Sequence, residues 1–446
     1  MVVSGLLARS VSDLIDEQPL SRFQIGVIAQ CGTIMLLDGF DAQCIGFLAP
    51  AIAQDLSIPL KTFGPIFSAA LMGLMIGALA SGPIADRCGR KIVIIASALL
   101  FGSFTVMTAH ADSLQELIVF RFLTGLGLGG AMPNVVALTA EYTPKRLQPI
   151  FVGALFTGMP LGALTASLVS TKMLPLWGWR SVFYLGGLLP LGIAIALIKL
   201  LPESVRFLTA TGADPRKVAA IMARMGPFMA ATTVSAPAPR REQAGGLPVK
   251  HLFTEGRALG TVLLWIPFFM NLLLLYFFMN WLPGLLTTAG MPISAGVTAA
   301  GLFSLGGVIG SLIQGSLMKM RGAFGTLLTE FLLCVLLIVG MAYATSFTVM
   351  MTATLILGIA IQGAQAGLNA LSAGFYPTTV RSTGVGWALG VGRIGSIIGP
   401  LVAGMLLSRD WTPPQIFLAG TAPAFIAALA VLLSSALKGK ANAFRL

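Results

Sequence analysis

A chain of 446 residues that is 56% hydrophobic and 10% charged departs far from soluble domains, in which about a quarter of residues are charged. Its mean hydropathy of +0.89 marks a membrane protein with almost no soluble part and room for about twelve spans of roughly 20 residues. The net charge of +12 is not a nucleic-acid footprint: of 28 Lys and Arg, 22 fall on one side of the predicted spans, four on the other and two inside them. That asymmetry is positive-inside topology, with both termini in the cytoplasm.

The first 22 residues carry Asp13, Asp16 and Glu17 and lack an apolar core, so they read as a cytoplasmic tail rather than a signal peptide. The first span, from about Phe23 to Ala53, holds Leu37-Asp38-Gly39-Phe40-Asp41. Two carboxylates three residues apart share a helix face. At membrane depth an ionised carboxylate costs several kcal/mol, so the pair must face protein, water or a cation, or keep a proton. Like charges this close favour retaining one proton. Asp38 and Asp41 are therefore candidate proton-binding residues; the alternative is a helix cap or a structural pair with Arg.

Span two runs from about Leu60 to Ile84 and is followed by Asp86-Arg87-Cys88-Gly89-Arg90-Lys91. Span three covers about Ile92 to Ala109. Span four, about Leu114 to Tyr142, holds Arg121 and Glu141. Span five runs from about Pro149 to Leu168, Trp177-Gly178-Trp179-Arg180 reads as an outer aromatic anchor, and span six ends at Leu201. From 202 to 257 the chain turns polar and basic, which predicts a cytoplasmic linker with a short helix near Pro215 to Met225 and its least structured part at 235–241. Apolar spans resume at about Ala258–Leu286, Ile293–Met318, Gly325–Tyr343, Phe347–Phe375, Gly384–Leu407 and Gln415–Leu437. The predicted fold is an all-α membrane protein with twelve transmembrane helices in two pseudo-symmetric six-helix bundles, residues 1–201 and 258–446.

An offset of 233 residues places Gly77, Gly82, Gly89, Gly153 and Gly162 on Gly310, Gly315, Gly322, Gly386 and Gly395. Several matches in one register favour a duplicated unit, and two such halves suit rocking about a central site. Arg121 and Arg393 are the cations inside spans, one per half. A guanidinium grips a carboxylate with two parallel hydrogen bonds, so one is expected to bind substrate and the other to pair with Asp38 or Asp41; the alternative is a purely structural ion pair. Glu141 is a candidate proton step or gate partner, or a charge at a solvated helix end. Glu330 reads as the latter. Tyr276 and Asn280 share a face of span seven, and Gln362, Gln365 and Asn369 form an amide row on span ten that suits a ring hydroxyl or helix–helix hydrogen bonding. Phe40 and Trp387 are candidates to stack on an aromatic ring, against packing or lipid contact.

Cys31, Cys44, Cys88 and Cys334 make no metal-ligand spacing and read as small core residues. Neither His110 nor His251 fits a catalytic arrangement, and no nucleotide loop, nucleophile elbow or zinc motif occurs. The chain is expected not to be an enzyme and to need no cofactor beyond protons as coupling ion.

Gly82-x-x-x-Asp86-Arg87-x-Gly89-Arg90-Lys91 resembles the signature loop of the major facilitator superfamily, and Arg121-Phe-Leu-Thr-Gly-Leu-Gly-Leu-Gly-Gly130 resembles its span-four motif. Leu201-Pro-Glu-Ser204 is similar to the end of span six in its sugar and organic-acid branches. Asp38-Gly-Phe-Asp41 with Gly390-Val-Gly-Arg393-x-Gly395 resembles the aromatic acid:proton symporter branch, over essentially the whole chain. The resemblance implies a bacterial inner-membrane, proton-driven importer of benzoate-like or hydroxylated aromatic carboxylates; a monomer in the lipid bilayer is the default expectation. It also implies a conformational role for Gly82, Asp86, Arg87, Gly89 and Arg90, and for Arg381 between spans ten and eleven. In the second copy, Gly315-x-x-x-Lys319-Met-Arg321-Gly322, Lys319 stands where an acid is often found, which removes a symmetric gating pair. The competing reading on the same fold is a proton-antiport exporter of drugs or metabolites; a third is a membrane sensor of aromatics.

Overall fold

A computed structural model describes residues 15–16, 18–225, 249–254, 256–377 and 380–443, and among them every regular element is helical. The stretch at 235–241 lies outside the described residues. Among the described residues eleven helices are long and apolar enough to cross a membrane. One of them, Gln148–Leu200, has 53 residues and is broken at Gly178, whose φ of 72° is non-helical; it is spans five and six end to end, which makes twelve. Span one is Arg22–Asp55, span two Phe63–Cys88, span three Arg90–Thr108 and span four Leu114–Tyr142. Spans seven to eleven are Ala258–Thr288, Ile293–Arg321, Ala323–Ala342, Phe347–Phe375 and Arg381–Ser408. Span twelve is Pro413–Ala419 continuing as Thr421–Ala443. Pro215–Met225 is a surface helix that buries Val218, Met222 and Met225 and lays Arg224 over the Phe23 ring.

Inner and outer denote the basic and the charge-poor side of the bundle. The outer turn between spans five and six differs from the anchor expected at Trp177 to Arg180. Trp177 is exposed, but Trp179 is buried and its indole donates to Asp55 Oδ2 at 3.0 Å. Arg180 pairs with Asp55 and, at 3.1 Å, with Asp112. The outer carboxylates draw this segment into a polar knot across the ends of spans one, three and five, because Gly178 continues the chain without a loop.

The duplication is visible contact by contact. Spans two and four, one and five, three and four, and three and six pack together; eight and ten, seven and eleven, nine and ten, and nine and twelve repeat that order. A Cβ on Gly77 would run into the Leu126 carbonyl, and one on Gly310 into the Ile359 carbonyl. Gly162 meets the Leu36 carbonyl and Gly395 that of Phe269. Each partner carbonyl sits at the same 233-residue offset as the glycines themselves. Small residues let membrane helices approach backbone to backbone. Gly162→Val should therefore cost about 1–3 kcal/mol through overpacking, read as a lower Tm in detergent. Gly153→Val, whose Cβ would meet nothing, should leave Tm unchanged.

The two halves meet on the outer side. Gly46 of span one packs on the Asn280 backbone, Gly64 of span two on the Pro400 carbonyl, and Ser68 donates to the Ile397 carbonyl at 2.8 Å. Ser167 of span five donates to the Val297 carbonyl at 2.8 Å. Trp281 closes this seam, donating to the Pro400 carbonyl and meeting Phe67 edge-on. On the inner side Gly153, Gly386 and Gly390 have no atom within 4 Å of where a side chain would begin. The contacts that join the halves gather at the outer end, and these inner positions stand free of neighbours on the basic side.

Candidate functional site

Span one brings its two acids to the centre of the bundle, and the structure divides them. Asp41 is wholly buried: it accepts from Thr105 Oγ1 at 2.6 Å and from both terminal nitrogens of Arg121, Nη1 at 3.3 Å and Nη2 at 3.1 Å. Arg121 Nη2 also donates to the Asp41 carbonyl at 3.2 Å, and the guanidinium lies 5.9 Å from the Phe183 ring centre. Arg121 is 0% exposed. It is an internal partner of Asp41 rather than a group offered to a substrate, because spans one, three, four and six close around it. Asp38 has the opposite surroundings. It is 1% exposed, and neither carboxylate oxygen has a hydrogen-bond partner.

The second half answers Asp38 with Arg393. This guanidinium is half-buried, donates to no carboxylate among the described residues, and donates from Nη1 to the Tyr276 hydroxyl at 3.2 Å. Its Nη2 reaches the first half at Met132 Sδ of span four, 3.9 Å away. Arg393 acts on Asp38 through space, as does Asp41. The centre thus holds one closed ion pair, Asp41–Arg121, and one open arrangement: an acid with no hydrogen-bond partner and, on the other half, an arginine that touches only neutral groups. A monoanion carrying a planar carboxylate fits the arginine side of that arrangement.

The other expected site residues separate by what they touch. Gln365 and Asn369 are linked, Nε2 to Oδ1, at 3.2 Å, and Asn271 of span seven donates to Gln365 Oε1 at 3.0 Å. Gln362 turns away from them: its amide fills the space above Gly307 and donates to the Phe303 carbonyl at 3.1 Å. Asn280 donates back to the Tyr276 carbonyl at 2.8 Å and packs at the shut outer seam. Phe40 packs over Gly186 of span six inside the first half, since two residues along a helix turn it to the side opposite Asp38. Trp387 stacks on Trp265, with ring centres 6.0 Å apart, near the inner end of span eleven. About two helical turns separate it from Arg393. Neither aromatic stands at the Asp38–Arg393 centre.

The family model described as Major Facilitator Superfamily matches residues 31–363. The chain belongs to that superfamily. It is 40% identical over 430 residues to the 4-hydroxybenzoate transporter PcaK of Pseudomonas aeruginosa, covering 95% of both chains. It is 40% identical over 426 residues to the gallate transporter of Pseudomonas putida, covering 95% of this chain and 94% of the relative. A bacterial homologue of the human lysosomal transporter Spinster shares the fold with a TM-score of 0.71, at 18% identity over 94% of this chain and 98% of that one. The relatives are transporters, not enzymes, and so is this member of the superfamily.

The facilitator's signature loop sits in a polar cluster at the inner end of the first half. Arg90 pairs with Asp86 at 3.0 Å and with Glu141 at 3.6 Å, and Ser204 hydrogen-bonds Glu141. Glu203, singled out in the sequence only within its motif, accepts the backbone N–H of Arg90 at 2.9 Å and of Lys91 at 3.1 Å. It is the anionic cap of span three, where the helix dipole favours negative charge. Gly89, with φ of 96°, leaves room for that carboxylate. Arg87 is exposed and makes no ion pair among the described residues, and Gly82 has no neighbour at its Cβ position. The close approach expected at Gly82 is therefore absent in this structure. Arg381 donates to the Tyr376 carbonyl at 3.3 Å. Glu141 belongs to this cluster, at the inner end of span four and several turns from Asp38.

Proposed function

We propose that this protein imports an aromatic carboxylate together with protons, as a monomer in a bacterial inner membrane with both termini cytoplasmic. The observation that carries the reading is the open arrangement of Asp38 and Arg393, a buried acid and a half-buried arginine with no hydrogen bond between them. Support for the substrate class comes from the relatives named as 4-hydroxybenzoate and gallate transporters. The anion's carboxylate takes the Arg393 guanidinium, with the Tyr276 hydroxyl beside it. That cancels the positive charge that Asp38 faces, and an uncompensated carboxylate in a poor dielectric is costly. A proton then joins Asp38. By linkage, a proton on Asp38 strengthens anion binding by the same factor. The loaded centre carries no unpaired charge, so closing the crevice around it costs less than closing it empty. Asp41 and Arg121 hold Asp38 in place and stay paired throughout. The inner cluster of Asp86, Arg90 and Glu141, with Arg87, Gly82 and Arg381, acts on the opposite state, when the inner ends of the halves close. The proton is the coupling ion and no other cofactor takes part.

The test is uptake of labelled 4-hydroxybenzoate, benzoate and protocatechuate into proteoliposomes under an acid-outside gradient. Accumulation that a protonophore abolishes is expected; accumulation that ignores the protonophore removes proton coupling, and no flux of any aromatic acid removes the substrate class. Arg393→Lys keeps the charge and loses the planar two-point grip. It should raise KM about 10- to 100-fold, the worth of one charge-assisted hydrogen bond. An unchanged KM in correctly folded variant would contradict carboxylate binding at this position.

A further inference from the structure

The amide row of span ten has a direction, and the direction is set by a carbonyl. Asn271 of span seven is wholly buried, and its Nδ2 donates both to the Ile361 carbonyl at 3.2 Å and to Gln365 Oε1 at 3.0 Å. A backbone carbonyl accepts only, so the Asn271 atom facing it must be the amide nitrogen. Turning that amide over would set two oxygens against each other. Its Oδ1 is left without a partner instead. With Asn271 fixed as donor, Gln365 must present oxygen to it and nitrogen to Asn369, and Asn369 must accept through Oδ1 at 3.2 Å. The free end of the chain is then the Asn369 Nδ2 group, which can only donate, together with the second hydrogen of Gln365 Nε2.

Those donors face the crevice. Gln362 marks the side of span ten that meets span eight, and Gln365 the side that meets span seven. Asn369, one turn further in, lies between those two directions and is exposed. Spans seven and eight are both spans that pack on the first half, at the outer seam, so the sector between them looks into the space between the halves. By helical rise, Asn271 stands about 7.5 Å inward of Tyr276, whose hydroxyl marks the Arg393 end. A ring held by its carboxylate at Arg393 would direct its far side toward the row.

We infer that Asn271, Gln365 and Asn369 form a one-way donor relay that selects aromatic acids carrying an oxygen acceptor on the ring edge opposite the carboxylate. Gln365 and Asn369 touch that oxygen; Asn271 is a positioning residue that never does. A hydroxyl or an ether oxygen accepts from the relay. A methyl group leaves the donors unpaired, which a site built to hydrogen-bond its ligand rejects. An aromatic amine brings donors to donors. The inference rests on the carboxylate reading of Arg393 and deepens it.

The experiment is competition against labelled benzoate uptake in proteoliposomes, with 4-hydroxy-, 4-methoxy-, 4-methyl- and 4-aminobenzoate. In the wild type the hydroxy and methoxy acids should compete at least tenfold better than the methyl and amino acids. Asn369→Leu should erase that gap, read as the ratio of the four acids' inhibition constants, and Asn369→Asp, which presents acceptor oxygens, should favour 4-aminobenzoate over 4-methoxybenzoate. Asn271→Leu should narrow the gap in the same direction although it lies away from the ring; equal loss for all four acids would make it a structural residue only and overturn the relay. Wild-type competition that follows size or acid strength, with methyl equal to methoxy, also overturns it. Benzoate uptake without this selectivity rejects the relay alone, whereas no uptake of any acid rejects the function on which it rests.

Discussion

Asp41→Asn should destabilise the purified protein by about 3–5 kcal/mol, because it strips a wholly buried arginine of its partner. Among the described residues Arg121 meets no other carboxylate; it touches Asp41 itself and the Phe183 face. The variant should express poorly and melt early in detergent. Adding Arg121→Met should recover part of the loss, since it removes the buried charge that Asp41→Asn leaves without a partner. Asp38→Asn should change Tm little, because an amide replaces a carboxylate that has no partner to lose. Thermal unfolding of the four proteins, followed by fluorescence, checks this. Equal melting of the Asp38→Asn and Asp41→Asn variants would remove the distinction between a structural and a functional acid in span one.

The second large effect is on coupling. Asn at position 38 imitates a permanently protonated acid, so Asp38→Asn should keep binding aromatic acid and should exchange internal for external substrate. It should lose accumulation driven by a proton gradient by at least tenfold. Counterflow and gradient-driven uptake, measured on the same proteoliposomes, separate these outcomes. Asp38→Asn that accumulates substrate as the wild type does would move proton coupling elsewhere in the chain.

Much of this arrangement was legible in the residues. The twelve spans follow from apolar runs, and the 233-residue register proved to extend from the glycines to the carbonyls that they touch. Acids and arginines inside apolar runs identified Asp38, Asp41, Arg121 and Arg393, since charge at membrane depth needs a reason. Pairing was not legible. Nothing in a three-residue spacing says that Asp41 turns to Arg121 and Thr105 while Asp38 turns to the other half, because that depends on how spans three and four cross span one. Thr105 gave no signal, a Thr in an apolar helix being common. Asn271 did give one: it is a lone amide between Met270 and four leucines, where lipid or packing alone would favour a hydrocarbon. Aromatic side chains were the least informative, as Phe40 and Trp387 illustrate. Their shape suits a ligand and a helix interface equally well, and both pack on protein.

The account turns on an anion at Arg393 and a proton on Asp38 arriving together. The direct measurement is proton uptake on ligand binding: purified protein in weakly buffered detergent solution, a pH-sensitive dye, and addition of neutralised 4-hydroxybenzoate. Wild-type protein should take protons from the medium in proportion to bound ligand, and both Asp38→Asn and Arg393→Leu should give no signal, the first while still binding ligand. A wild type that binds without proton uptake, or an Asp38→Asn variant whose uptake matches it, would contradict the coupling.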